Sequence, residues 1–156
     1  MTSTATVPSS DAARPTIRSA NANDSTAVRE LLEGAQLPLD GVPDDLAHFL
    51  VAERDGKVVG AIGLEPYGES ALLRSAVVAP AVRGTRLGER LVRAMLSAAQ
   101  EHGTRELVLL TTTAEAWFPR FGFERITRDA APAALHASKE FRGACPASAV
   151  VMRLQF

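Results

Sequence analysis

Between Ala71 and Thr111 the chain reads as an apolar strand, a glycine-bearing loop, an amphipathic helix and a second apolar strand. That order leaves few folds open. Ala71–Val78 has strand length and is ended by Ala79-Pro80. Leu87, Leu91, Val92, Met95, Leu96 and Ala99 then recur at helical spacing to about His102, where Gly103 stops the helix. Leu107–Thr111 is apolar without alternation, as expected of a strand covered on both faces. A strand–helix–strand crossover in one sheet sets its strands parallel and is right-handed. Upstream, the apolar runs Leu50–Glu53 and Lys57–Leu64 are joined by Arg54-Asp55-Gly56, whose Asp-Gly pair signals an antiparallel hairpin. Parallel and antiparallel pairing must therefore share one sheet.

The remaining segments complete that picture. Pro15–Asn21 reads as a strand, and Asn23 or Asp24 caps a helix with Ala27, Val28, Leu31 and Leu32 on one face. A turn-rich stretch, 34–43, leads to a short helix over about Asp44–Phe49, and 65–70 reads as a turn. Ala114–Phe121 reads as a helix ended at Gly122, Phe123–Thr127 as a strand, Pro132–Phe141 as a helix, and Ser148–Phe156 as a strand at or near a sheet edge. The fold class is α/β (α+β): one domain over 15–156, a mixed twisted sheet with helices on both faces, preceded by a disordered tail over 1–14.

The composition removes several classes of partner. Of 156 residues, 46% are hydrophobic, and 17 Lys and Arg balance 18 Asp and Glu. A net charge of −1 gives no support to nucleic acid or an anionic membrane as partner. Cys145 is the only cysteine, which excludes a disulfide framework and fits a reducing cytoplasm. No apolar run approaches the roughly 18 residues of a membrane span, and no secretory signal is visible. His48, His102 and His136 lack metal-ligand spacing, so no metal is expected.

The loop Val78–Gly88 carries the most specific chemistry. Free N–H groups and the dipole at the start of the following helix, glycines that admit close approach, and Arg83 and Arg86 together suit a phosphate or pyrophosphate. A tight turn with two solvated arginines is the alternative. Neither a P-loop nor a dinucleotide fingerprint is present.

With Val78, Pro80, Arg83, Gly84, Leu87 and Gly88 after a strand, and with Trp117-Phe118-Pro119-Arg120-Phe121-Gly122-Phe123 later, the chain resembles the GNAT N-acetyltransferases. Gly63–Gly68, Leu72–Ser75, Leu110–Glu115 and Cys145–Val150 resemble the arsenic-resistance branch, and the Thr-rich and Trp-Phe stretches also resemble bacterial amino-acid N-acetyltransferases. The resemblance implies an acetyl-CoA co-substrate with its pyrophosphate on Arg83, Gly84, Thr85, Arg86, Leu87 and Gly88. It also implies pantetheine paired with the backbone of Ala76, Val77 and Val78, and Phe118 in the tunnel wall. Arg86 replaces the family's middle glycine, at a first-turn position expected to need no positive φ. The acceptor is expected to be a small-molecule amine, and a homodimer stays open as a habit of the family.

The acetyl-transfer roles are then distributed as follows. Glu65, at a strand end, is the candidate base, with Glu69 and Glu115 as rivals. Arg74 lies inside an apolar strand, where an unpaired guanidinium is costly. It serves either as a clamp on an acceptor carboxylate or oxyanion, or as an internal ion pair with Glu65. Phe118 stands where many relatives place a tyrosine acid, which leaves Tyr67 as the substitute. Thr111 and Thr112 are candidates to hydrogen-bond acetyl or substrate, or else to cap the strand end. Cys145 is read as structural, and Lys139–Arg142 as a lid. A protein-amine acetyltransferase and a non-catalytic acyl-CoA-binding module are the rival functions.

Overall fold

The computed structural model describes residues 14–156; the expected tail lies almost entirely outside them. Seven strands form one sheet: β1 (Thr16–Ser19), β2 (Phe49–Arg54), β3 (Lys57–Tyr67), β4 (Ser70–Val78), β5 (Glu106–Thr111), β6 (Glu124–Ile126) and β7 (Val150–Gln155). Their order is β1-β2-β3-β4-β5-β7-β6, antiparallel throughout except for the parallel pair β4–β5. The crossover and the antiparallel run upstream are those the sequence implies. Among the described residues no helix is long and apolar enough to cross a membrane.

Two helices cover opposite faces. Helix α1 (Ser25–Gly34) sets Val28 and Leu32 against Val51, Ala61 and Val77. Helix α2 (Leu87–Glu101) sets Leu87, Leu91, Val92 and Met95 against Ala52, Ile62, Leu73 and Leu109. Neighbours such as Val51 and Ala52 go to different clusters because successive strand side chains point to opposite faces. A third cluster joins Leu72, Val108 and Val151 to Ala131 and Leu135.

Several local readings are corrected. Asp24 is the N-cap residue of α1, one of the two expected, but makes no side-chain cap bond to it. The capping bonds lie earlier, in a 3₁₀ turn over Ala22–Asp24, where Asn21 accepts from the Asn23 N–H and Asp24 accepts from the Asn21 N–H, each at 2.9 Å. Residues 44–49 form no helix, since Leu46 and His48 are left-handed (φ 52° and 63°). Strand β3 runs through Pro66 to Tyr67, so the turn shrinks to Gly68-Glu69. Proline is tolerated there because β2 stops at the Phe49–Gly63 pair, leaving no ladder for it to break on that side. Residues 114–121 yield only a 3₁₀ turn over Phe118–Phe121, and 132–141 divide into a 3₁₀ segment (Ala133–Ala137) and a wide turn (Glu140–Ala144).

Candidate active site

The sheet opens at its centre. Strands β4 and β5 pair only over Ser70–Leu72 and Glu106–Val108. Beyond Leu72 they part, and the β5-facing backbone of Leu73–Val78 has no strand partner. A bulge adds to the divergence: the β3–β4 register slips so that Ser75 and Ala76 stand opposite Ile62, with Ser75 at φ 59°. A cavity of about 620 Å³ occupies the wedge. Its walls include Arg74, Ala76, Val78, Thr112, Trp117 and Glu140.

At the mouth of the wedge, α2 begins. Gly88 lines the cavity beside Trp117, where an added Cβ would meet the indole at 3.7 Å. Arg83, Gly84, Thr85 and Arg86 are exposed outside the lining, and Leu87 is buried in the core. The expected backbone of Arg86 is wrong: it is the N-cap, left-handed at φ 66°, ψ 15°. A non-glycine residue there costs about 1–2 kcal/mol, which explains why glycine suits this position. Thr85 Oγ1 donates to the Val82 carbonyl at 2.6 Å, closing the loop under that strained residue.

Deeper in, Arg74 is 3% exposed and held on several sides. Its Nε donates to Ser75 Oγ at 3.0 Å, one terminal nitrogen pairs with Glu65, and the other lies 3.4 Å from the Pro38 carbonyl and 3.7 Å from Glu140 Oε2. Gly41, at φ 83°, covers the pair so closely that a Cβ would lie 2.8 Å from Arg74 Nη1. Burial and the Glu65 carboxylate push the Tyr67 hydroxyl up to about 12. Burial also raises Glu140, against the pull of Arg74, and pushes the Cys145 thiol up to about 12, with the Glu140 charge helping. Cys145 is therefore a protonated wall residue near neutrality.

Of the residues expected from sequence, Arg74, Ala76, Val77, Val78, Gly88, Thr111, Thr112 and Phe118 line the cavity together. Glu65 and Tyr67 do not line it and reach it only through Arg74. Thr111 Oγ1 accepts from the Ala114 N–H at 3.0 Å, the capping alternative, whereas Thr112 is exposed to the cavity. The rivals Glu69 and Glu115 form surface ion pairs with Arg105 and Arg125. Glu140, expected in a lid, is instead a buried wall residue beside Arg74. Its Lys139-Glu140-Phe141-Arg142 setting reads as solvated charge, and nothing local marks the glutamate as the inward one.

The acetyltransferase (GNAT) domain family matches residues 45–125, just over half of the chain. An amino-acid acetyltransferase of Ralstonia nicotianae is 35% identical over 128 residues, covering 74% of this chain and 28% of that protein. Its counterpart in Aeromonas salmonicida is 32% identical over 103 residues, 65% of this chain and 22% of that protein. N-acetylglutamate synthase from Neisseria gonorrhoeae, complexed with coenzyme A and N-acetyl-glutamate, superposes with a TM-score of 0.78 at 23% identity, over 90% of this chain and 35% of that one. A GNAT family acetyltransferase from Brucella melitensis in complex with acetyl-CoA gives 0.57 at 25% identity, over 72% and 84% of the two chains. The chain thus spans between 22% and 35% of the length of the first relatives it matches. Because the family match runs across the bulged strand, the glycine-arginine loop and the helix that together frame the wedge, the chain belongs to the GNAT acetyltransferase family.

Proposed function

We propose that the chain transfers an acetyl group from acetyl-CoA to the primary amine of a small amino-acid acceptor, directly, with both bound at once. The observation that carries this reading is the unpartnered backbone of Leu73–Val78 facing an open wedge. An extended pantetheine arm can add there as a strand, with its pyrophosphate over the N-terminus of α2. Holding donor and acceptor together in the wedge supplies roughly 7–11 kcal/mol of the barrier reduction.

In this reading the acceptor's carboxylate takes the place of the Pro38 carbonyl and Glu140 on the Arg74 guanidinium, which is otherwise fully buried. Glu65 and Tyr67, expected as base and acid, instead hold that guanidinium, since both Glu65 oxygens are already engaged. Thr112, exposed at the cavity, hydrogen-bonds acetyl or substrate in this reading. The narrower acceptor, an arsenic-containing or related toxic amino acid acetylated in the cytoplasm, rests on the resemblance of residues 63–68, 72–75, 110–115 and 145–150.

Thiol release from acetyl-CoA, measured with α-amino acids, phosphinothricin-type and arsenic-containing amino acids, and amine-bearing peptides, tests the proposal. Release with free amino acids supports it. Release with peptides alone assigns a protein-amine acetyltransferase, and coenzyme A binding without amine-dependent release assigns an acyl-CoA-binding module.

A further inference from the structure

Arg74 stands between two carboxylates that are not equivalent. Glu65 does not line the cavity: Oε1 accepts the Tyr67 hydroxyl at 2.7 Å and Oε2 pairs with Arg74. Glu140 is 4% exposed, lines the cavity, and has one ion-pair contact among the described residues, the 3.7 Å approach to Arg74. That distance exceeds hydrogen-bond length, and the Cys145 thiol is a single weak donor to the carboxylate, which therefore keeps accepting capacity for a ligand in the cavity.

The geometry points to Glu140 as the group that receives the acceptor's ammonium and takes its proton, with the neighbouring Arg74 holding the carboxylate of the same α-amino acid. This assignment rests on the acetyl-transfer reading above. An α-amino acid carries its two charges on one carbon, and a buried cation and anion 3.7 Å apart behind one cavity wall match that head group once the ligand comes between them. Arg74 and Glu140 also come from elements far apart in sequence, β4 and the turn before β7, so only the closed fold assembles the pair.

The chemistry balances as follows. One proton passes from the ammonium to a Glu140 carboxylate oxygen. The freed amine attacks the thioester carbonyl carbon; a C–N bond forms, the C–S bond breaks, and the electron pair leaves on sulfur. The nitrogen's second lost proton goes to the thiolate, and Glu140 returns its own to solvent. Burial supports the role, because it raises Glu140 toward the range where a carboxylate base is effective. The charged and titratable groups acting on it are Arg74 of β4, Glu65 of β3 and Cys145 after its own turn, while Arg128 acts on Cys145.

The test is the pH profile of thiol release by the wild type and Glu140→Gln, with an α-amino acid and its methyl ester as acceptors. Coenzyme A calorimetry reports whether the variant is folded. The expected result is a kcat lower by about 10²–10⁴-fold with an unchanged coenzyme A Kd. Activity should return at alkaline pH, where the free amine forms unaided, and the ester should be the poorer substrate of the wild type. A variant that keeps kcat but loses KM would make Glu140 a mere support for Arg74 and overturn the assignment. So would an unchanged profile. Should Glu140→Gln fail to fold, wild-type profiles with acceptors of different amine basicity decide. An acid limb fixed across acceptors supports an enzyme base, and one that tracks each amine overturns it. If the wild type releases no thiol with any amine, the acetyl-transfer reading itself fails, and this assignment with it.

Discussion

Tyr67 donates its hydroxyl to Glu65 Oε1 at 2.7 Å from two residues further along the same strand. Positions i and i+2 share a strand face, so β3 supplies one of the two carboxylates that flank Arg74, the turn before β7 supplying the other. A third contact comes from β4, through Ser75 at the bulge. The bulge that opens the wedge therefore also orients the guanidinium at its base.

Removing that guanidinium should reveal both of its duties. With Arg74→Ala, Glu65 and Glu140 lose their shared cation while partly or fully buried, a situation that costs about 3–5 kcal/mol. Burial holds Glu140 protonated to higher pH in the folded chain than in the unfolded one. The penalty should then grow as pH rises through that range and shrink toward pH 5. Urea unfolding at pH 5 and 8 checks this sign, and a parallel rise in acceptor KM checks the clamp.

Gly41→Ala probes the same socket from above. Its φ of 83° disfavours any side chain, and the new Cβ would meet Arg74 Nη1 at 2.8 Å. A loss of about 1–2 kcal/mol is expected from the backbone alone. Acceptor KM should also rise as the guanidinium is displaced, with coenzyme A affinity unchanged in calorimetry.

Arg86→Gly should act in the opposite direction. Relief of the left-handed φ of 66° stabilises by up to about 1–2 kcal/mol, less the added freedom of glycine in the unfolded chain. Thermal unfolding reads the gain. Calorimetry at two salt concentrations reads whether the arginine side chain contributes to coenzyme A binding, since a charge contact weakens with salt.

Cys145 gives an alkaline signature. Its thiol is raised from 9.0 to about 12, so between these values the unfolded chain loses a proton that the folded chain keeps. Stability from this group is complete below pH 9 and falls as pH rises toward 12. Cys145→Ser should flatten the decline between pH 9 and 10, measured by denaturant midpoints.

What could be read from the sequence follows the range of the interactions involved. The crossover was legible because α2 and its flanking strands each declare themselves locally, through Pro80, Gly103 and helical spacing. Arg74 was legible as an anomaly, a charge in an apolar strand, and its pairing with Glu65 was one of two open alternatives. Residues 44–49 misled because turn residues at left-handed φ, Leu46 and His48, carry no glycine to announce them. Arg86 misled in the same way. Glu140 was hidden because its meaning depends on a fold-back of the chain between β6 and β7, which no local pattern encodes.

Strands β4 and β5 are stitched by only three residue pairs, so the sheet is two blades joined at a short seam. A molecule lying in the gap and bonding to both blades would act as a keystone. Such an occupant should slow amide exchange in β4 and β5 together and bind the two halves into a single cooperative unit.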